Sequence, residues 1–240
     1  MLSIKYNFFN HQKATLTVMV QADNPTRIKE LMDKSLPAGA EAFGIQFEQM
    51  LPEYRKPEVY RDLLGYAEGR PSYVTNYRGR QNGEKSDEEL GNELVELAEC
   101  GAELCDVMGD YFDRQPDEMA VDETAINKQI KLINRIHEKG AKVLMSSHIL
   151  KYTPAERVLE IALEHQRRGA DISKIVVGAE NREQEIENLK TINLLKEKLD
   201  IPFLFLSSGE CRILRRIGGE IGSCMYLCVY EHDSLATPTQ

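Results

Sequence analysis

The chain has 240 residues, 42% of them apolar, and a formal net charge of −9. That length suits one α/β barrel built as a single domain over residues 1–240. The acidity argues against nucleic acid or an anionic membrane surface as partners, since both repel a negative face.

No run approaches the ~18 consecutive apolar residues of a membrane helix. Residues Met1 to Asn10 lack the charged-then-apolar layout of a secretory signal. Five cysteines without paired-ligand spacing read as free thiols in a reducing compartment, so a cytoplasmic protein is expected. No His/Cys/Asp/Glu set has metal-ligand spacing, and no cofactor is expected.

Taken in chain order, a first strand is expected from near Thr15. Asn24-Pro25 then reads as an N-cap with proline at the first helical position. Gly39-Ala40 closes that helix, and a second strand starts near Ala42. A third starts near Ser72. Ser86 with Glu89 forms a capping box for the next helix, which Gly101-Ala102 ends before a strand near Glu103. Ile126, Ile130 and Ile133 keep helical spacing, and Gly140-Ala141 leads into a strand at Lys142. Thr153 with Glu156 reads as a second capping box, followed by Val158, Ile161 and Ala162 at helical spacing. Gly169-Ala170 precedes a strand headed by Lys174, and further strands begin near Pro202 and Ser223. The recurring glycine is the left-handed residue that turns the chain back after a helix.

Eight strands alternating with helix-length segments imply parallel pairing through right-handed crossovers and closure into a (β/α)8 barrel. An open doubly wound sheet competes less well, because no glycine-rich phosphate loop follows the first strand. In a barrel, chemistry gathers at the C-terminal ends of strands. Those ends carry Gln46-Phe47-Glu48, the stretch Asn76 to Gly83, Asp106-Val107-Met108, Ser146-Ser147-His148, Lys174 and Ser207-Ser208-Gly209. Arg215 and Arg216 precede the last strand.

By position alone, His148 reads equally as a proton carrier near neutral pH or as a strand-end histidine without chemistry. Lys174 reads first as a solvated lysine at a strand start. Only if it points into the barrel does desolvation free its amine as a nucleophile. Arg215 and Arg216 are suited to gripping a carboxylate or to covering a helix surface, with at least one of them facing solvent.

Together these segments resemble the type I 3-dehydroquinate dehydratases. Lys142 to His148, followed by Thr153-Pro154, is similar to that family's catalytic-histidine segment. Ala170 to Ile175 is similar to its Schiff-base lysine segment. Arg216-Ile217-Gly218-Gly219-Glu220 is similar to the segment with its substrate-carboxylate arginine. Pro238 and Gln240 fall where the family has a closing loop ending in Gly-Gln. The resemblance implies that Lys174 forms an imine with a substrate ketone and that His148 removes the neighbouring proton and assists loss of water. It assigns Arg216 to the substrate carboxylate, and it implies a homodimer acting on a small-molecule carbonyl compound.

The other half of the site departs from the family pattern. The family's Glu-x-Arg reads Gln46-Phe47-Glu48, so an arginine position is acidic. Tyr77 falls at a second arginine, with Arg78 or Arg80 replacing it only after a slip in alignment. Gln81-Asn82-Gly83 replaces Glu-Gly-Gly, which sets Gln81 beside the histidine. Met108 stands at a frequent carboxylate. Ala236 takes the closing loop's serine position, with Ser234 nearby. Gln46, Glu48, Tyr77, Gln81, Ser208, Arg216 and Gln240 are therefore the expected substrate-binding residues. Two readings share one chemistry, a dehydratase of 3-dehydroquinate and a Schiff-base lyase for another carbonyl compound, and the altered residues favour the second. A class I aldolase-type carbon–carbon lyase and a non-catalytic binding barrel are the alternatives.

Overall fold

Residue types that stop and start helices set the frame. The computed structural model describes residues 6–9, 13–67, 69–232 and 234–235. In it β1 (Thr15–Val20) leads to α1 (Pro25–Ser35), β2 (Ala42–Gln46) to α2 (Pro57–Gly65), and β3 (Ser72–Thr75) to α3 (Asp87–Glu99). β4 (Leu104–Met108) leads to α4 (Glu123–Glu138), β5 (Lys142–His148) to α5 (Ala155–Arg167), and β6 (Ile172–Gly178) to α6 (Arg182–Lys198). β7 (Phe203–Ser208), α7 (Leu214–Ile221) and β8 (Met225–Cys228) complete the series.

The strands pair in the order β7-β6-β5-β4-β3-β2-β1-β8. Every pairing is parallel, as crossover helices require. β8 returns to β1, with Thr15 opposite Met225. The Cys224 N–H, just before β8, donates to the Phe203 carbonyl of β7 at 2.8 Å. The sheet is thus a nearly closed (β/α)8 barrel.

The helix ends carry the expected chemistry, with one exception. The Asn24 side chain accepts from the Arg27 N–H at 2.9 Å, and Ser86 and Glu89 form a reciprocal capping box. Gly39, Gly101, Gly140 and Gly169 all have φ between 89° and 110°, as a left-handed helix stop demands. Thr153 is the exception, because α5 begins one residue later than a capping box needs. Pro154 stands at the N-cap without a side-chain acceptor, and the Thr153 hydroxyl donates to the Lys151 carbonyl at 3.2 Å.

The isoleucine stripe expected on the helix before β5 is also rotated. Gln129, Leu132, Ile133 and Ile136 of α4 are buried, whereas Ile126 and Ile130 are half-buried. Gln129 turns inward because its amide donates to the carbonyls of Gly109 and Tyr111, both at 2.9 Å.

Two packing layers follow from the two-residue period of strands. Met19, Tyr73, Leu104, Leu144, Ile172, Val176 and Leu204 form the barrel interior. Val143, Met145, Ile175 and Val177 point outward to the helices. β6 begins at Ile172, so Lys174 does not head its strand. It is the third residue, between the inward Ile172 and Val176, and alternation turns it into the barrel. Gly44 leaves the space that the Tyr73 ring and Met19 fill, since a Cβ there would collide with both.

His165 of α5 is fully buried between the strands' outer face and its own helix. The Ser147 hydroxyl gives its proton to the Glu118 carbonyl at 2.7 Å, so it accepts from His165 Nε2 at 3.1 Å. Nδ1 then accepts from the Ser173 hydroxyl at 2.9 Å. Burial, with help from Arg168, pushes the imidazole down to about 3. Its folded value lies below the unfolded 6.5, so in that window the unfolded chain binds a proton that the folded chain refuses. Stability from this group is complete above pH 6.5 and falls by about 1.4 kcal/mol per unit below it. Urea unfolding at pH 7 and pH 5 should therefore differ by about 2 kcal/mol on account of His165. His165→Gln should flatten that slope, and an unchanged slope would show that other groups set it.

Candidate active site

A cavity of about 450 Å³ opens at the C-terminal ends of the strands. Gln46, Glu48, Tyr77, His148, Lys174, Ser208 and Arg215 are among its lining residues. Lys174 is 4% exposed, and its Nζ reaches three groups: Tyr77 Oη at 2.8 Å, Tyr73 Oη at 3.1 Å and Asp106 Oδ2 at 3.2 Å. Asp106 is fully buried. Both tyrosine hydroxyls donate to its Oδ2, and Ser146 Oγ donates to Oδ1 at 2.5 Å. Burial pushes this carboxyl up, but the charges of Lys174 and His148 and the hydroxyl donors outweigh it. Asp106 is held below the usual carboxylate range. Burial and the adjacent Asp106 raise both phenols well above theirs, so Tyr73 and Tyr77 are neutral donors.

His148 stands beside this cluster. Ser146 pairs with Lys174 and His148 with Val176, so His148 lies one inward position further along β5, about 7 Å along the strand. Its ring meets Tyr77 edge-on, with centroids 5.4 Å apart. Glu118 accepts from the His148 backbone N–H at 2.7 Å, and the same oxygen lies 2.9 Å from Nδ1. That contact puts the Nδ1 proton toward Glu118 and leaves Nε2 for a substrate.

Glu118 comes from the loop after β4, and its position is heavily constrained. It adopts a left-handed φ of 47°. Gly109 has no Cβ to strike the Glu118 carbonyl, which also accepts from Ser147 Oγ. The Ala120 N–H donates to the Gly109 carbonyl at 2.9 Å, closing the loop on itself. Buried Arg168 donates to the Ala120 carbonyl at 2.8 Å and to Gln129 Oε1 at 2.7 Å.

On the opposite wall, Glu48 follows β2 and is 3% exposed. The Thr75 hydroxyl lies 2.8 and 3.0 Å from its two oxygens, and the Tyr77 N–H donates at 3.4 Å. Burial nevertheless raises this carboxyl above its ordinary value. Arg78 is bound by both Asp87 oxygens, at 2.7 and 2.8 Å, and by Asp110 at 2.6 Å. Arg80 is exposed at the mouth.

Arg215 donates from Nε to the Ser207 carbonyl at 3.0 Å, while its buried Nη1 has no partner among the described residues. Burial, with Arg212 nearby, lowers its pKa, which reflects a guanidinium short of counter-charge.

The structure brings Lys174, His148, Gln46, Glu48, Tyr77 and Ser208 to this cavity. Two expected residues lie elsewhere. Arg216 is exposed on α7, and Arg215 faces the cavity in its place; neighbours on a helix point about 100° apart, so one cavity takes only one of them. Gln81 is exposed on the turn Arg80–Asn82. There Asn82 turns inward instead, donating to Asn76 Oδ1 at 2.9 Å and the Tyr77 carbonyl at 2.5 Å. Glu118 occupies the place beside the histidine that was expected for Gln81. Gln240, Pro238 and Ala236 lie outside the described residues, and Ser234 is exposed.

Asp106 and Glu118 were the residues without an assigned role in the sequence. Asp106 had a signal, a lone carboxylate inside the apolar strand Leu104–Met108. Glu118 had none, because it sits in an irregular loop 30 positions from His148. Among the described residues no cluster of three or more His, Cys, Asp or Glu could hold a metal ion. No described helix is long and apolar enough to cross a membrane.

Fold and site together define a (β/α)8 barrel with a buried lysine and a carboxylate-oriented histidine at its C-terminal mouth. The sequence model of the type I 3-dehydroquinase family matches residues 71–240, and the chain belongs to that family.

The 3-dehydroquinate dehydratase of Alkaliphilus oremlandii is 38% identical over 92 residues, which cover 38% of this chain and 36% of that protein. The Listeria welshimeri enzyme is 32% identical over 98 residues, covering 40% of this chain and 39% of that protein. These alignments thus span well under half of the relatives' length. The 3-dehydroquinate dehydratase structure from Geobacillus kaustophilus superposes with a TM-score of 0.79 at 17% identity, covering 95% of this chain and 86% of that one. The type I enzyme from Clostridium difficile, solved with covalent modified comenic acid, gives 0.76 at 21% identity over 95% and 87%. At those identities the likeness speaks to the fold.

Breaking a buried ion pair by removing one partner costs about 3–5 kcal/mol, because the other charge is left uncompensated. Asp106→Asn should lower the unfolding free energy by about that much. Adding Lys174→Met should recover a substantial part of it. A double variant no more stable than Asp106→Asn would show that the pair is not the source of the loss.

Proposed function

We propose that the chain is a carbon–oxygen lyase of the 3-dehydroquinate dehydratase type, forming a Schiff base through Lys174 with His148 as general acid and base. The observation that carries this reading is the Lys174 amine, buried at the floor of the cavity beside a histidine whose free nitrogen faces the same space.

In this reading the Lys174 ammonium first gives a proton to neutral His148, and the amine so freed attacks the ketone carbon of a small-molecule β-hydroxy ketone. His148 then returns that proton to the carbinolamine hydroxyl as it leaves. The carbinolamine loses water to give an iminium ion. That cation forms where the ammonium now sits, against Asp106 and the hydroxyls of Tyr73, Tyr77 and Ser146. It meets a field already organised for positive charge. The iminium acidifies the neighbouring C–H, and His148 Nε2 takes that proton. Electrons return from the enamine to expel the β-hydroxyl, which leaves as water with the proton from His148. Water then hydrolyses the imine and frees Lys174. Glu118 holds the ring in one orientation and balances its cation, acting as a positioning residue. Arg215, which lines the cavity without an ionic partner among the described residues, receives the substrate carboxylate.

Glu48 on the opposite wall and Tyr77 at the Lys174 amine support a carbonyl substrate other than 3-dehydroquinate. A single catalytic domain over residues 1–240, working without a cofactor as a cytoplasmic homodimer, belongs to the same reading, as does closure of the site by Gln240.

Reduction with cyanoborohydride in the presence of candidate ketones should leave a stable adduct on Lys174, read by peptide mass. Lys174→Ala should abolish it. His148→Ala should keep the adduct while turnover falls about 10²–10⁴-fold. An adduct that survives Lys174→Ala would remove the lysine from the mechanism. Turnover of 3-dehydroquinate near roughly 10 per second, an ordinary enzyme rate, would overturn the substrate assignment.

A further inference from the structure

Among the described residues that line the cavity walls, Glu48 and Arg215 have no ionic partner. Lys174 is paired with Asp106, His148 with Glu118, and Arg78 with Asp87 and Asp110. Arg80 is solvated at the mouth. Among the described residues Arg215 has a backbone carbonyl on Nε and no partner on its buried Nη1. Among the described residues Glu48 meets neutral donors, the Thr75 hydroxyl, the Tyr77 N–H and its own backbone N–H. No described cation forms an ion pair with it.

These two groups are separated around the ring. Arg215 follows β7, next to the strand of Lys174, whereas Glu48 follows β2, four strands away across the barrel. A ketone carbon bound at Lys174 therefore has a cationic wall close by and an acidic wall across from it. The two open charges have opposite sign in one cavity of about 450 Å³.

We infer that Glu48 is a specificity-determining residue, and that it selects a keto acid carrying a protonated amine on the side of the ketone away from its carboxylate. The inference rests on the imine-forming reading of Lys174. A carboxylate buried without a counter-ion is costly, and a ligand ammonium supplies the missing charge together with up to three donors. A second ligand carboxylate at the same place meets like charge and is rejected. Thr75 fixes the Glu48 oxygens, so the selection comes from a held group and not from a flexible one. The upward shift that burial imposes on Glu48 is the same unmet need for positive charge.

Three simple ketones test the charge choice on the full-length protein. δ-Aminolevulinate has a carboxylate on one side of the ketone and an ammonium on the other, levulinate has the carboxylate alone, and γ-ketopimelate has a carboxylate on each side. Binding is measured by calorimetry, and imine formation by cyanoborohydride trapping and peptide mass.

The wild-type protein should bind δ-aminolevulinate on the order of 100-fold more tightly than γ-ketopimelate, with levulinate between them. Glu48→Gln, close in shape, should reduce that ratio to a few-fold, and Glu48→Arg should reverse it. The wild-type ratio needs no variant, so a poorly folded variant does not rescue the idea. Equal affinities in the wild type, absence of δ-aminolevulinate binding, or a ratio unchanged in folded Glu48→Gln would each overturn it. Charge-selective binding without any adduct would instead sink the imine reading and leave the selection by Glu48 standing.

Discussion

Lys174 and Asp106 form a buried ion pair in the middle of a barrel, and much of the surrounding chemistry exists to make that tolerable. An ammonium and a carboxylate taken out of water lose more than their attraction returns unless the remaining polar positions are filled. Here hydroxyls fill them. Tyr73 comes from β3, Tyr77 from the segment after it, Asp106 from β4, Ser146 from β5 and Lys174 from β6, so the cluster joins four consecutive strands through polar contacts. Replacing such a pair by apolar side chains of similar volume is often neutral or stabilising. The arrangement suits the imine-forming reading proposed above, in which a cation builds up on the lysine nitrogen.

The histidine side of the site depends on a different constraint, the close approach of two backbone segments. The loop after β4 must bring Glu118 over the end of β5 in a left-handed conformation that a residue with a side chain adopts reluctantly. It is held there from three directions. Gly109 offers no Cβ, Ser147 and His165 support the Glu118 carbonyl from the outer face of the strand, and Arg168 with Gln129 binds the loop's carbonyls from the helices. Neutral His165 and charged Arg168 are buried for this reason, in a layer that would otherwise be aliphatic. The strain on one residue is balanced by hydrogen bonds spread over β4, β5, α4 and α5.

Family membership and cavity electrostatics bear on different questions. The family match covers residues 71–240 and so the segments that hold Lys174 and His148. The match does not reach Glu48, which lines the cavity with Tyr77 and Arg215. Arg215 and Glu48 split the cavity into a cationic side and an acidic side, with the Lys174 amine between. A polar cavity of this kind discriminates by the cost of leaving its own groups unpaired, which is greater than the gain from any single added contact.

What the sequence determined by itself was the architecture and the strand that each active group occupies. Glycine after a helix, proline or asparagine before one, and short apolar runs act over a few residues, so eight strands and the (β/α)8 order were legible from local chemistry. The resemblance singled out Lys174 and His148 on the same basis, since each sits in a short contiguous segment. Only the tertiary structure decided which way side chains point and which distant loops meet. Lys174 looked like a solvated strand start until β6 proved to begin two residues earlier, which turned it inward by alternation. Arg215 and Arg216 were adjacent candidates, and helix phase selected Arg215. Glu118 took the place expected for Gln81 through a loop whose course depends on Gly109, Ser147 and Arg168 together. Local sequence specifies a repeating unit and its faces, but the partner of a charge in a barrel is set by closure of the ring and packing of the loops above it, and no contiguous segment encodes those.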